Sequence, residues 1–254
     1  MIMNKSILTS LFFAASVAVA PAAAVIGWVA TNGDAGFDGG TAATGSPVTT
    51  DADGDALAGS FPAITLTPGQ GIVLTGSVNI TGNTGGIAGN QFRWGLFDAP
   101  GTPTTGNGTG YVGIWASLPS GAIGSIVTAN GSTANPFSGS ASSAFIDASD
   151  EGAHTPVFAT EWDFSLSVSR LDATQMSVSG SFTDNLDVLI EWPETAAAGS
   201  PGSFTYDSVG ILLGGTTNAT QASFSNLEVN AIPEPGTALL GAIGVMALLF
   251  RRRR

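Results

Sequence analysis

The segment Trp162-Asp163-Phe164-Ser165-Leu166-Ser167-Val168-Ser169 alternates apolar and polar residues without a break. After Asp172-Ala173-Thr174 the pattern resumes as Met176-Ser177-Val178-Ser179-Gly180-Ser181-Phe182. A period of two puts the apolar side chains on one face of an extended chain and the serines on the other. A helix, with 3.6 residues per turn, would scatter the same apolar side chains around its axis. The two segments are therefore predicted to pair as a long antiparallel hairpin over a core, its serine face turned outward or toward a polar groove.

The same period recurs along the chain. Ile72, Leu74, Val78 and Ile80 share one face of a run from Ile72 to Ile80, and Phe92, Trp94 and Leu96 repeat the pattern around Arg93. Tyr111 with Trp115 marks another strand, and Ile26, Trp28 and Ala30 a first one within an otherwise irregular stretch, residues 25–60. Leu186 to Glu191, Phe204 to Leu213 and Phe224 to Val229 complete the set, with glycines punctuating the turns. No useful helical stretch lies between Val25 and Asn230. About ten short strands at this spacing predict an all-β fold, an antiparallel two-sheet jelly-roll-like sandwich spanning residues 61–230. The aromatic bulk is assigned to its core rather than to a ligand platform.

Charge narrows the function. Residues 25–232 hold 18 acidic side chains against two basic ones, Arg93 and Arg170, a net charge of −16. Such a surface repels phosphate backbones, which excludes nucleic acid as a partner and favours divalent cations. The chain has no cysteine, hence no disulfide, thiol nucleophile or cysteine metal site. Its one histidine, His154, rules out a multi-histidine centre.

Both ends are addressed to a membrane. Met1 to Ala24 carries Lys5, an apolar run and small residues at Ala22-Ala23-Ala24, the architecture of a signal peptide, so signal peptidase is an expected partner and the mature chain is expected to start near Val25. At the other end, residues 231–254 combine three parts. Pro233 and Pro235 hold Glu234 in extended chain, because neither ring nitrogen can donate a hydrogen bond. Residues 237–250 form an apolar run of about 21 Å if helical, a transmembrane segment short of the ~30 Å hydrocarbon core. Arg251, Arg252, Arg253 and Arg254 close the chain; their long stems can cover the shortfall, and their charge holds that end on the cytoplasmic side.

Ile-Pro-Glu-Pro-Gly, an apolar helix and terminal arginines together resemble the PEP-CTERM sorting signal of Gram-negative bacteria that make extracellular polysaccharide. The resemblance implies processing by an exosortase, a membrane protease-transpeptidase, at Pro233, Glu234 and Pro235. Residence in the inner membrane is then transient, with the domain outside, and the destination is the cell surface or matrix. The middle region, through ITLTPGQGIVLTGSVNITG, FRWGLFDA, FSLSVSRLDATQMSVSGSF, FTYDSVGILLGG and FSNLEV, resembles the concanavalin A-like, laminin G-type sandwich. That likeness implies the fold and an association with carbohydrate.

Candidate chemistry is sparse. Asp51, Asp53 and Asp55 alternate as at the opening of calcium loops, where hard oxygen ligands converge on one ion. Glycine falls at the fourth position of that run and Pro62 at its twelfth, so a solvated acidic turn is the competing reading. Glu161 and Asp163 lie two apart on one strand face, and Glu191 and Glu194 flank an aromatic, Trp192, able to stack on a sugar. A sandwich glycosidase needs two carboxylates on either side of the scissile bond. The Glu-x-Asp-x-x-Glu arrangement of sandwich glucanases breaks at Leu166. The chain is accordingly expected to be a non-enzymatic surface or matrix protein associated with extracellular polysaccharide. The alternatives are a secreted carbohydrate-active enzyme and a purely structural surface protein.

Overall fold

A computed structural model describes residues 22–32, 48–50, 56–81, 90–99, 109–118, 121–130, 142–149, 161–184, 188–197, 204–214 and 221–233. They form β1 (Ala23–Ala24), β2 (Ile26–Asn32), β3 (Val48–Thr50), β4 (Ala56–Thr65), β5 (Gly71–Thr81), β6 (Asn90–Asp98) and β7 (Thr109–Leu118). Seven more follow: β8 (Gly121–Asn130), β9 (Ser142–Ser149), β10 (Glu161–Arg170), β11 (Met176–Asp184), β12 (Val188–Ala197), β13 (Thr205–Gly214) and β14 (Gln221–Ile232). No helix occurs among the described residues. The strands make two antiparallel sheets. The first is ordered β1-β14-β5-β10-β11-β12, with β3 also beside β14, and the second β2-β4-β13-β6-β7-β8-β9.

The predicted hairpin is β10–β11, paired without a slip from Trp162 opposite Asp184 to Arg170 opposite Met176. Burial alternates along β10: Trp162, Phe164, Leu166 and Val168 are buried while Glu161 and Asp163 are exposed. Inward residues of the second sheet meet this face. Phe92 and Trp94, both fully buried, lie 5.1 Å apart between ring centroids, and Phe92 sits 5.3 Å from Phe164, 5.5 Å from Phe182 and 6.0 Å from Phe224. The aromatic side chains Phe92, Trp94 and Tyr111 are thus core, as predicted. Trp94 has an indole N–H that apolar surroundings would strand, and it donates across the sandwich to the Ser165 carbonyl at 2.9 Å. That bond ties β6 of one sheet to β10 of the other.

The sheets draw on residues beyond the boundaries expected at 61 and 230. Strands β1 to β4 start before Phe61, and Ala231 and Ile232 are the last two residues of β14. β1 consists of the final two residues of the expected leader, so a cut after Ala24 would remove only that short edge pair and leave Val25, itself buried, at the terminus. Met1–Pro21, Asp51, Asp53, Asp55, His154, Glu234, Pro235 and Arg251–Arg254 lie outside the described residues. Strands β3, β8 and β9 were not anticipated. In β8, Gly-Ala-Ile-Gly-Ser-Ile-Val-Thr-Ala-Asn has no clear alternation, and its extended form follows from pairing with β7 on one side and β9 on the other.

Close packing sets the glycines of β7. A Cβ at Gly113 would come within 2.7 Å of the Trp94 ring, inside the core where neither group can move aside. Gly113→Ala is expected to lower stability by about 1–3 kcal/mol, the usual range for overpacking, measured as an earlier midpoint in urea unfolding with an unchanged m value.

Candidate functional site

The outer face of the first sheet follows from the same alternation that fills the core. Each inward apolar residue of β10 forces its neighbour outward. Register then aligns the outward residues in rows across the sheet. Asp163 stands between Ser77 and Thr183, Ser165 between Thr75 and Ser181, Ser167 between Val73 and Ser179, and Ser169 between Gly71 and Ser177. β14 extends the rows, with Ser225 opposite Ser77, Glu228 opposite Thr75 and Asn230 opposite Val73. On the far side, Glu191 of β12 stands opposite Ser181. The result is a grid rich in hydroxyls, interrupted by Gly71, Val73 and carboxylates and with Ser77 and Ser177 buried, whose rows lie about 4.8 Å apart across strands and about 6.7 Å apart along them.

Part of the lattice is internally bonded. The Ser77 hydroxyl donates to Asp163 Oδ1 at 2.7 Å, the Ser165 and Ser181 hydroxyls are 2.8 Å apart, and Asn226 Nδ2 lies 3.5 Å from Ser77 Oγ. Asn226 sits where the β14–β5 register shifts, with φ of 54°, a left-handed conformation that asparagine tolerates better than most residues. Beside it, Asn79 is opposite Glu161 and its Oδ1 is buried without a partner among the described residues. Glu161 and Asp163 share this open face, two residues apart on one strand. They do not oppose each other across a cleft, which is the arrangement glycoside hydrolysis uses. Among the described residues no group of three or more His, Cys, Asp or Glu side chains could hold a metal.

A second polar group lies inside the sandwich, where the sequence showed only aromatic core. Tyr111 and Tyr206 are buried, and neither hydroxyl has a partner among the described residues. Burial pushes both phenols well above their ordinary range, and for Tyr206 the nearby Tyr111 and Asp98 add to the effect. Next to them Asp207 Oδ1 accepts the Ala99 N–H at 2.8 Å and the Ser208 hydroxyl at 2.7 Å, closing the end of β6 against β13. No spacing in the sequence announces this group, because Tyr111 and Tyr206 are far apart in the chain and read as two more core aromatics.

The third locus is the end of the sandwich where β14 stops. Ile232 pairs with Gly71 and Gly71 with Ser169, so the exit of the C-terminal segment lies beside the start of β5 and the β10–β11 turn. Arg170 locks this end: Nη1 donates to the Leu66 carbonyl at 2.8 Å, Nε to the Asp172 carbonyl at 2.9 Å, and the guanidinium lies 3.6 Å from the Phe204 ring centroid. In the turn, Asp172 Oδ1 accepts the N–H of Thr174 at 2.6 Å, the Thr174 hydroxyl at 3.0 Å and the N–H of Gln175 at 2.8 Å. Pro233, half-buried, follows directly; Glu234 and Pro235 come next in sequence.

With this geometry in view, the comparisons are specific at one end and broad in the middle. The family of the PEP-CTERM protein-sorting motif matches residues 231–254, so its match begins inside β14. That motif is the mark of a membrane-anchored, exported protein handled by an exosortase. No curated protein matches the chain in sequence. Among solved structures, the potassium-bound carbohydrate recognition domain of Emp46p is similar at 9% identity and a TM-score of 0.48, over 81% of this chain and 88% of that one. Basic winged bean lectin with Tn-antigen is similar at 8% identity and 0.48, over 75% and 88%. The alginate lyase Aly36B is similar at 10% identity and 0.41, over 74% and 81%.

The Asp172 carboxylate is held below the usual range, first by the Thr174 backbone N–H, then by the Thr174 hydroxyl. A depressed carboxyl stabilises the fold above its unfolded pKa and loses that contribution as pH falls through its folded pKa. Amide exchange at Thr174 and Gln175, corrected for intrinsic rates, is therefore expected to stay protected through the ordinary aspartate range and to open only below it. Asp172→Asn is expected to show no such acid step.

Proposed function

We propose that the chain is a non-enzymatic surface or matrix protein whose sandwich associates with extracellular polysaccharide after the C-terminal signal has been processed. The observation that carries the reading is the outer face of the first sheet. A sugar polymer offers repeating hydroxyls, and Thr75, Asp163, Ser165, Ser167, Ser179, Ser181 and Thr183 offer a repeating set of donors and acceptors at fixed spacing. Contacts of this kind are individually worth little, since each exchanges with water. Repetition along a polymer makes them additive through effective concentration. The domain's charge of −16 bears on which polymer is held. A neutral polysaccharide approaches without penalty, while an anionic one needs a bridging divalent cation, a role open to Asp51, Asp53 and Asp55.

The test is retention of the exported protein on polysaccharide from its own host, with and without calcium. Replacing Ser165, Ser167 and Ser181 together by alanine is expected to cut retention by about tenfold or more, equivalent to ~1.4 kcal/mol, with thermal unfolding little changed. Undiminished retention would remove this face from the reading. Turnover of any polysaccharide that disappears in Glu161→Gln or Asp163→Asn would replace it with the carbohydrate-active enzyme, since both carboxylates stand exposed on that face. Processing is checked separately by intact mass. The mature protein is expected to end near Pro233-Glu234-Pro235, and a final product still carrying residues 236–254 would rule out exosortase cleavage.

A further inference from the structure

We infer that, while the sorting signal is still attached, the end of the sandwich that releases it rests on the lipid surface, with Leu171, Ile232 and Pro68 as its contacts. The inference rests on residues 237–250 anchoring the precursor in the membrane. Four observations then fix which part of the domain meets lipid.

The first is reach. β14 stays paired up to Ile232 opposite Gly71, so folded structure runs into the matched signal with no linker. Residues 233–236 alone separate that last pair from the apolar run that begins at Thr237, a span of at most about 18 Å when fully extended. The headgroup layer occupies roughly 5–8 Å of it. The second is direction. β1 runs antiparallel to β14, with Ala23 opposite Val229 and Ala24 opposite Glu228, so the chain preceding Ala23 leaves from the same end as the chain following Ile232. Until the leader is cut, both membrane-directed segments therefore join one end of the domain.

The third is composition. Three large apolar side chains are exposed among the described residues: Ile26 at 54%, Leu171 at 44% and Ile232 at 40%. Two of them are at this end. β10 and β14 flank β5, which places their ends about 10 Å apart, and the exposed Pro68 lies in the turn that leads into β5. The fourth is charge. The two turns here, Thr67–Gln70 and Leu171–Gln175, carry one carboxylate, Asp172, beside Arg170, and both are already engaged in hydrogen bonds. The rest of the domain, Asp98 and Asp207 at the same end of the second sheet included, is acidic and is repelled by anionic lipid; these two turns, with one carboxylate beside one guanidinium, are neutral.

Three partly exposed side chains would not hold a free domain on a membrane. A short tether supplies an effective concentration in the millimolar range, enough to populate a contact that weak. Removal of the tether abolishes it, so docking belongs to the unprocessed form and cleavage releases the domain.

The chain has no cysteine, which permits single labels in the full-length precursor. An environment-sensitive fluorophore is placed at Leu171→Cys, Ile232→Cys, Ile26→Cys and Leu240→Cys, each reconstituted in vesicles of phosphatidylethanolamine and phosphatidylglycerol carrying a headgroup-depth quencher. The expected result is strong quenching at 240, quenching several-fold greater at 171 and 232 than at 26, and return of the 171 signal to its aqueous value in protein lacking residues 234–254. Quenching at 240 with 171 as water-like as 26 would overturn docking and leave the anchor intact. No quenching at 240 would overturn the anchor and docking with it. Protection of 171 that appears only in membranes containing the processing enzyme would overturn the lipid surface as the partner in favour of that protein.

Discussion

The aromatic seam between the sheets is the constraint on which the rest depends. Phe92 and Trp94 from β6 meet Phe164, Phe182 and Phe224 from β10, β11 and β14, with ring centroids between 5.1 and 6.0 Å apart along the contacts that join them. Rings at these separations gain from edge and offset-stacked contacts beyond their buried area. The seam also fixes register, because sliding β10 by one residue would turn Phe164 and Trp162 to water and bury Asp163 and Ser165. The Trp94 to Ser165 hydrogen bond adds a directional term to this packing, since an indole N–H buried without it would cost about 1–3 kcal/mol.

Everything on the outer face of the first sheet is a consequence of that register. The hydroxyl rows exist because strict alternation leaves every second residue outside, and their alignment exists because β5, β10 and β11 pair over long stretches without a slip. The register shift in β14 is absorbed by Asn226, whose left-handed backbone turns its side chain toward Ser77, and the pairing of β11 with β12 shifts twice, between Val178 and Gly180 and between Phe182 and Thr183. The face combines hydroxyls with the carboxylates of Glu161, Asp163 and Glu228, so it offers hydrogen-bonding groups and would repel a polyanion.

The strongly periodic strands were legible because burial leaves a one-dimensional trace when one face is wet and the other dry. β5, β6, β10 and β11 carry that trace, and the inward placement of Trp94 and Phe164 follows from it. β8 does not, since small residues such as Gly121, Ala122 and Gly124 mark neither face, and its existence depends on partners distant in sequence. The placement of Glu161 and Asp163 on one face was readable from spacing alone. The burial of Tyr111 and Tyr206 without hydroxyl partners among the described residues was not, because hydrogen-bond satisfaction depends on three-dimensional neighbours. The expected seam between domain and signal near Asn230 also could not be placed by composition: Ala231 and Ile232 satisfy a strand and a sorting motif equally well.

That overlap bears on how such a signal can work. β14 pairs with β5 up to Ile232 opposite Gly71, and on its other side with β3 over residues 222–224 and β1 over residues 228–229. Pro233 then ends the ladder chemically, since its ring nitrogen has no proton to offer a neighbour. The ladder therefore ends at a position set by the fold, and Glu234 is the next residue in sequence. A flexible linker would let the motif sample many depths relative to the bilayer, with a spread that grows as the square root of its length. Direct fusion narrows the spread to the few residues between the last strand pair and the apolar run.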